Sequence, residues 1–299
     1  MTKVLYTSPY VPAEWIAAHG LEPVRVTPAR TNRVPAVLDR QGVCPFVRSF
    51  LANALAWPTP SVIVMTTTCD QMRRGFDVVT QANAMPAFLT NVPSTWQSVA
   101  ARRLYLDELD RLSGFLVRVG GTRPSSEQLA EIMLTRDESD MTPLTRGWRT
   151  HPTIPIALVG GPMCQDDLAV FEVIEACGGS VMLDATESGL SGQRRAFDRR
   201  RVRQEPLAEL ADAYFDGVRD IARRPNDEFY TWLLRELAGS GARAVIVHRY
   251  VWCDLWHAEI ARLREKTGLP VLDLGASDRE EIDSGRNRTR IGAFMEMLT

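Results

Sequence analysis

SVIVMTTTCDQMRRG, Ser61 to Gly75, opens as an apolar, β-branched strand and stops at Cys69-Asp70, where a helical run begins. A short apolar run of this kind suits a strand buried on both faces, as strands of a parallel sheet are. In open α/β sheets, ligands bind in the crevice beyond the carboxyl ends of the strands. Cys69 stands at such an end, which marks it as a candidate ligand and prompts a search for its partners.

Strand and helix alternate on either side. KVLYT is a strand, PAEWIAAHG a helix with Pro12 near its start and Gly20 at its end, EPVRV a strand and CPFVRSFLANALA a helix. After the quoted stretch come DQMRRGFDVVTQ as helix and MPAFLTN as strand. TWQSVAARRLYLDELDRLSGFLVRV is helical, with Leu104, Leu109, Leu112 and Leu116 on its apolar face, and PSSEQLAEIML starts a further helix with Ser and Glu in capping-box relation. The polar, proline-punctuated stretch 135–155 is expected to connect two domains. The scheme then repeats with IPIALVGG, QDDLAVFEVIEACGG, SVMLD, a long insertion, RAVIVHR, DLWHAEIARLREKTG and PVLDLG. Strand, Cys-Asp, helix, strand occurs once in each half, at Cys69-Asp70 and at Cys253-Asp254. The expectation is an α/β protein of two similar domains, 1–148 and 149–299. Each would be a mostly parallel, flavodoxin-like sheet flanked by helices, with a cleft between the two.

The bulk properties narrow the class. The 299 residues are 45% hydrophobic and 24% charged, a globular balance, and the net charge of -2 gives no global reason to expect nucleic acid. No stretch is apolar for long enough to span a membrane, and MTKVLYTSPY, with one lysine and a short apolar run broken by Ser8-Pro9, is not expected to be a signal peptide. Five widely spaced cysteines argue against a disulfide framework and for a reducing, cytoplasmic setting. Dinucleotide, P-loop and nucleophile-elbow motifs are absent.

Cys44, directly before a proline-led helix, and Cys69 and Cys253, between strand and helix, occupy one kind of place. Each faces the positive end of a helix, which favours the thiolate, and thiolates bind soft metals and iron–sulfur clusters. A single cysteine is ordinarily a small core residue, and Cys177, on an apolar helix face with Phe171 and Ile174, is assigned that role. Cys164 in GGPMCQDD stands open as a fourth ligand. A structural zinc site of the three thiols with His257, four residues after Cys253, is the rival reading, against which no close C-x-x-C pair is present. Two arginine-rich stretches, Arg194–Arg203 with six arginines in ten residues and GRNRTR with Arg286, Arg288 and Arg290, are either solvated segments or anion sites. The period-two spacing of the second is expected to place its arginines on one side of an extended segment.

Taken in order, YVPAEWIAAHGLEPVRV, CPFVRSFLANAL, TTTCDQMRR, VWCDLWHAEIARLREKTGLPVLDLGASD and TRIGAFMEML resemble segments of the 2-hydroxyacyl-CoA dehydratase and benzoyl-CoA reductase family. The resemblance implies a [4Fe–4S] cluster held by three cysteines, falling here on Cys44, Cys69 and Cys253, with one iron left open to an exogenous ligand. It implies a related second subunit, an ATP-dependent iron–sulfur activator that injects one electron, and an acyl-CoA substrate whose thioester is reduced to a ketyl radical that expels the 2-hydroxyl. Under this resemblance the chain is either the catalytic iron–sulfur subunit or an electron-relay subunit of a related CoA-thioester reductase. Arginine forks at the cleft mouth, Arg286, Arg288 and Arg290 among them, would meet the CoA.

Overall fold

The computed structural model describes residues 1–31, 42–139, 153–276 and 285–299. The first half runs β1 (Lys3–Tyr6), α1 (Ala13–Ala18), β2 (Glu22–Arg25), α2 (Pro45–Leu55), β3 (Ser61–Thr66), α3 (Asp70–Gln81), β4 (Ala87–Thr90), α4 (Val99–Arg118) and α5 (Ser126–Ser139). The second runs β5 (Ile154–Gly160), α6 (Ala169–Ala176), β6 (Gly179–Thr186), α7 (Arg199–Gln204), α8 (Pro206–Phe215), α9 (Asp227–Ser240), β7 (Ala244–Tyr250), α10 (Asp254–Thr267), β8 (Val271–Ala276) and α11 (Gly285–Leu298). The expected boundary at 148/149 lies outside the described residues.

Every ladder is parallel, and the two sheets, β2-β1-β3-β4 and β6-β5-β7-β8, share one strand order. The protein is thus a two-sheet α/β fold in which one topology occurs twice. Period-two alternation sorts the apolar residues to the two faces of each sheet. On β3, Val62 and Val64 face one core while Ile63 and Met65 face another. On β7, Val245 and Val247 face α9 and α10, and Ala244 and Ile246 face α6 and α11. Gly160 ends β5 opposite His248 of β7, where an added Cβ would lie 2.0 Å from the His248 carbonyl oxygen. Backbone cannot yield as a side chain does, so Gly160→Ala is expected to cost about 3 kcal/mol, read as a lower urea midpoint.

Two local expectations are corrected. Leu104 is 39% exposed, and Tyr105, fully buried, takes its place with Leu109, Leu112 and Leu116, because positions 105, 109, 112 and 116 keep the helical register that 104 breaks. The capping box of α5 pairs Ser125 with Gln128 rather than with a glutamate: Gln128 N donates to Ser125 Oγ (3.2 Å) and Ser125 N to Gln128 Oε1 (2.8 Å).

The arginine-rich insertion also differs from the solvated-loop alternative. Its second part is helix α7, capped by Asp198, whose carboxylate accepts from the backbone N–H of Arg200 and Arg201. With α8 it leaves the second sheet and packs on the first half, where Phe197, Val202, Leu210 and Phe215 join a core with α1, α4 and α5. Tyr105 stacks on Phe215 at 5.1 Å. Arg194 pairs with Glu14 and Asp137, Arg195 with Glu209, and Arg201 with Glu209 and Asp212.

Candidate metal centre

Cys44, Cys69 and Cys253 are the N-caps of α2, α3 and α10. Each helix begins there for a local reason. Pro45 has its fixed φ at the first helical position of α2. The Cys69 sulfur accepts from Met72 N (3.4 Å), doing the work of an N-cap oxygen, and Asp70 sits favourably in the first turn of α3. Cys253 N donates to Tyr250 O (3.1 Å), and Trp252 before it is 54% exposed with φ 65°, a left-handed conformation that a bulky residue rarely adopts. Gln71 ties two of the loops together by accepting the Cys44 N–H on its Oε1 (2.5 Å).

Cys69 and Cys253 follow the third strand of their respective sheets, so the shared topology places them at corresponding carboxyl ends. Cys44 is buried, Cys69 and Cys253 half-buried. Cys44 and Cys69 belong to the core under α2 and α3, whereas Cys253 packs against the core under α9 and α10. All three nevertheless fall within electrostatic reach of one another. Burial pushes the Cys69 thiol up to about 12, with the Cys253 charge adding to it and the Met72 N–H opposing it. Burial likewise raises Cys44, helped by Cys69 and Cys253, and raises Cys253, helped by Glu187. The expected thiolate is therefore corrected: helix N-termini are present, but desolvation outweighs them.

Among the described residues, no three His, Cys, Asp or Glu side chains stand at a spacing that would hold a metal ion. The donor set still suits a thiolate-bound centre. Three free thiols stand at helix starts within electrostatic reach of one another, and at Cys69 a backbone N–H, that of Met72, reaches the sulfur. His257, the zinc rival's fourth ligand, is solvent-exposed on α10.

Cys164 has a separate setting. It is fully buried, and its N–H donates to Tyr250 Oη (2.9 Å) and Asp167 Oδ2 (3.2 Å). Arg30 of the first half pairs with Asp167 (2.5 Å) beside the buried His248. Sequence reasoning missed this polar group; its signal was His, Arg and Tyr closing a strand that opens apolar, AVIVHRY. Cys177 packs with Phe171 and Ile174, its Sγ 3.8 Å from the Arg288 carbonyl oxygen.

Arg286, Arg288 and Arg290 lie in the first turns of α11, not in an extended segment. The apolar residues that follow, Ile291, Phe294, Met295 and Leu298, are buried at helical spacing and carry the helix back through the arginines. Arg286 and Arg288 are exposed; Arg290 donates to Asp273 O (2.6 Å), whose carboxylate grips Arg249 through two bonds of 2.9 and 2.8 Å. Arg249 in turn lowers the thiol of Cys253 against the effect of burial. Among the described residues, no helix is long and apolar enough to cross a membrane.

A family model described as 2-hydroxyglutaryl-CoA dehydratase, D-component, matches residues 9–142 and 141–298. No curated protein matches the chain. Among solved structures, the SBP FpvC from Pseudomonas aeruginosa in complex with Mn2+ is 9% identical, covering 100% of this chain and 99% of that one with a TM-score of 0.26. A mutant of the laminin-binding adhesin Lmb from Streptococcus agalactiae is 11% identical over 99% of each chain, with a TM-score of 0.22.

Proposed function

The chain belongs to the 2-hydroxyglutaryl-CoA dehydratase D-component family, and on that premise we propose that it is the iron–sulfur subunit of a 2-hydroxyacyl-CoA dehydratase-like enzyme, a lyase. The observation that carries this reading is the common placement of Cys44, Cys69 and Cys253 as helix N-caps within electrostatic reach of one another. These three thiols would hold a [4Fe–4S] cluster, which when bound supplies single-electron chemistry and an open iron position. The helix N–H groups behind the sulfurs would stabilise the thiolates, and proton release from the buried thiols would accompany loading.

Exposure around the cysteine loops supports a partner there. Cys69 and Cys253 are half-buried and Trp252 is exposed beside them. A related second subunit would cover these loops, and an ATP-dependent iron–sulfur activator would deliver the electron. Arg286, Arg288 and Arg290 at the start of α11 are the proposed contacts for the CoA part of the substrate.

Anaerobic purification with iron, sulfide and zinc analysis tests the reading. About four irons per chain with labile sulfide is the expected result for one [4Fe–4S] centre. One zinc and no iron would replace it with the structural zinc alternative.

A further inference from the structure

A cavity of about 470 Å³ lies at the carboxyl ends of β3 and β4, beside Thr67 and Thr68, which lead into Cys69. Its walls include the 91–95 loop, Arg73, the start of α4, and Asp220, Ala222 and Arg223 from the second half. The two halves meet there through Arg224 N, which donates to Ser94 O (2.7 Å).

Two independent features give the wall its chemistry. Ala100 and Ala101 place the positive end of α4, a helix of 20 residues with no acidic residue in its first turn, against the cavity. Arg223 is only 5% exposed, yet among the described residues it stands in no ion pair, and the buried Asp220 reaches it only by longer-range charge. Its Nη1 donates to Phe215 O (2.7 Å) and Tyr10 Oη (3.4 Å), its guanidinium lies 4.0 Å from the Phe215 ring centroid, and its Nε has no partner. A buried guanidinium is costly unless an anion answers it. Arg73 adds a second, half-exposed cation, held by Thr67 O (3.2 Å) and Asp70 Oδ1 (3.4 Å). The one carboxylate in the wall, Asp220, takes the Ala222 N–H on Oδ1 (2.8 Å); burial raises its carboxyl above the ordinary range, against the opposing charges of Arg223 and Arg224.

We propose that this cavity is an oxyanion site that holds a carboxylate or phosphate group of a small-molecule ligand, with Arg223, Arg73 and the start of α4 as its donors. The site deepens the dehydratase reading, since it would anchor the charged end of an acyl-CoA thioester next to the Cys69 loop. It does not depend on a cluster. The oxyanion has two sources, a carboxylate on the acyl group or a phosphate of CoA.

Calorimetric titration of the full-length protein with glutarate, with adenosine 3′,5′-bisphosphate and with the neutral glutaramide tests the site and separates the sources. The wild type is expected to bind one or both anions and not glutaramide. Arg73→Gln is expected to weaken the bound anion about tenfold or more, as loss of a charge-assisted bond does. Ala100→Glu is expected to weaken it at least as much while the melting temperature holds or rises, because an acid in the first turn suits the helix dipole. Binding of glutarate alone assigns the acyl carboxylate, and binding of the bisphosphate alone assigns the CoA phosphate. Failure of both anions to bind, equal binding of glutaramide, or unchanged affinity in a folded Ala100→Glu variant would overturn the proposal. Iron content is measured separately, so an iron-free protein that binds an anion removes the cluster and leaves this site.

Discussion

If Cys69 is a ligand of the proposed cluster, its replacement by serine is expected to abolish iron binding in anaerobically prepared protein, from about four irons per chain to almost none. The same outcome is expected for Cys44→Ala and Cys253→Ser, because a cluster held by three sulfurs loses its geometry with any one of them. Cys177→Ser is expected to keep its iron, since that thiol packs with Phe171 and Ile174. Cys164→Ala is expected to keep it too, since Cys164 is fully buried beside Asp167 and Tyr250. Iron and sulfide analysis with the visible absorption of the cluster gives the readout, and circular dichroism confirms that each variant is folded. Retention of full iron by a folded Cys69→Ser protein would sink the ligand assignment.

Arg194→Met will destabilise the fold by about 3–5 kcal/mol, the range found when one partner of a buried ion pair is removed. Glu14 has a side chain only 1% exposed; Arg194 Nε and Nη2 reach its Oε1 at 3.2 and 3.1 Å, and Tyr214 Oη donates to its Oε2 at 2.6 Å. Arg194 also pairs with Asp137 (2.9 Å) and lies 3.8 Å from the Phe197 ring centroid. Without the guanidinium, Glu14 keeps the Tyr214 bond but loses its counter-charge in a desolvated place. The Glu14→Leu/Arg194→Met double variant is expected to recover most of the loss, because it removes the stranded charge. Urea unfolding of the two variants decides it; a single variant within about 1 kcal/mol of wild type would match an exposed pair instead.

Both predictions mark how far sequence reasoning reached. The alternation of strand and helix and the seating of the cysteines at helix starts are legible because they rest on short-range patterns: apolar runs, proline at a helix start, a thiol where a strand stops. The fate of Arg194, Arg195 and Arg201 was not, because their partners Glu14, Asp137, Glu209 and Asp212 are brought to them by packing across the chain. Arg290 was misplaced for a different reason. Period two was taken from three arginines, although the apolar Ile291, Phe294, Met295 and Leu298 beside them already carried the helical period. The thiol chemistry was half legible: the helix ends could be foreseen, the degree of burial could not. Arg223 gives no signal at all, since nothing in DIARRPND tells the buried arginine from its neighbour Arg224.

The placement of α7 and α8 has a consequence for the molecule as a mechanical object. Two sheets of one topology suggest two beads on a string, but these helices reach back and clasp the first bead. A fragment ending before Ile154 would bare the oily surfaces of α1, α4 and α5 that the clasp covers, and the remaining half would carry a greasy hook with nothing to grip. Any swing of one sheet relative to the other must drag this hook along. Genetic duplication would supply the two similar sheets, and the clasp packs part of the second half into the core of the first.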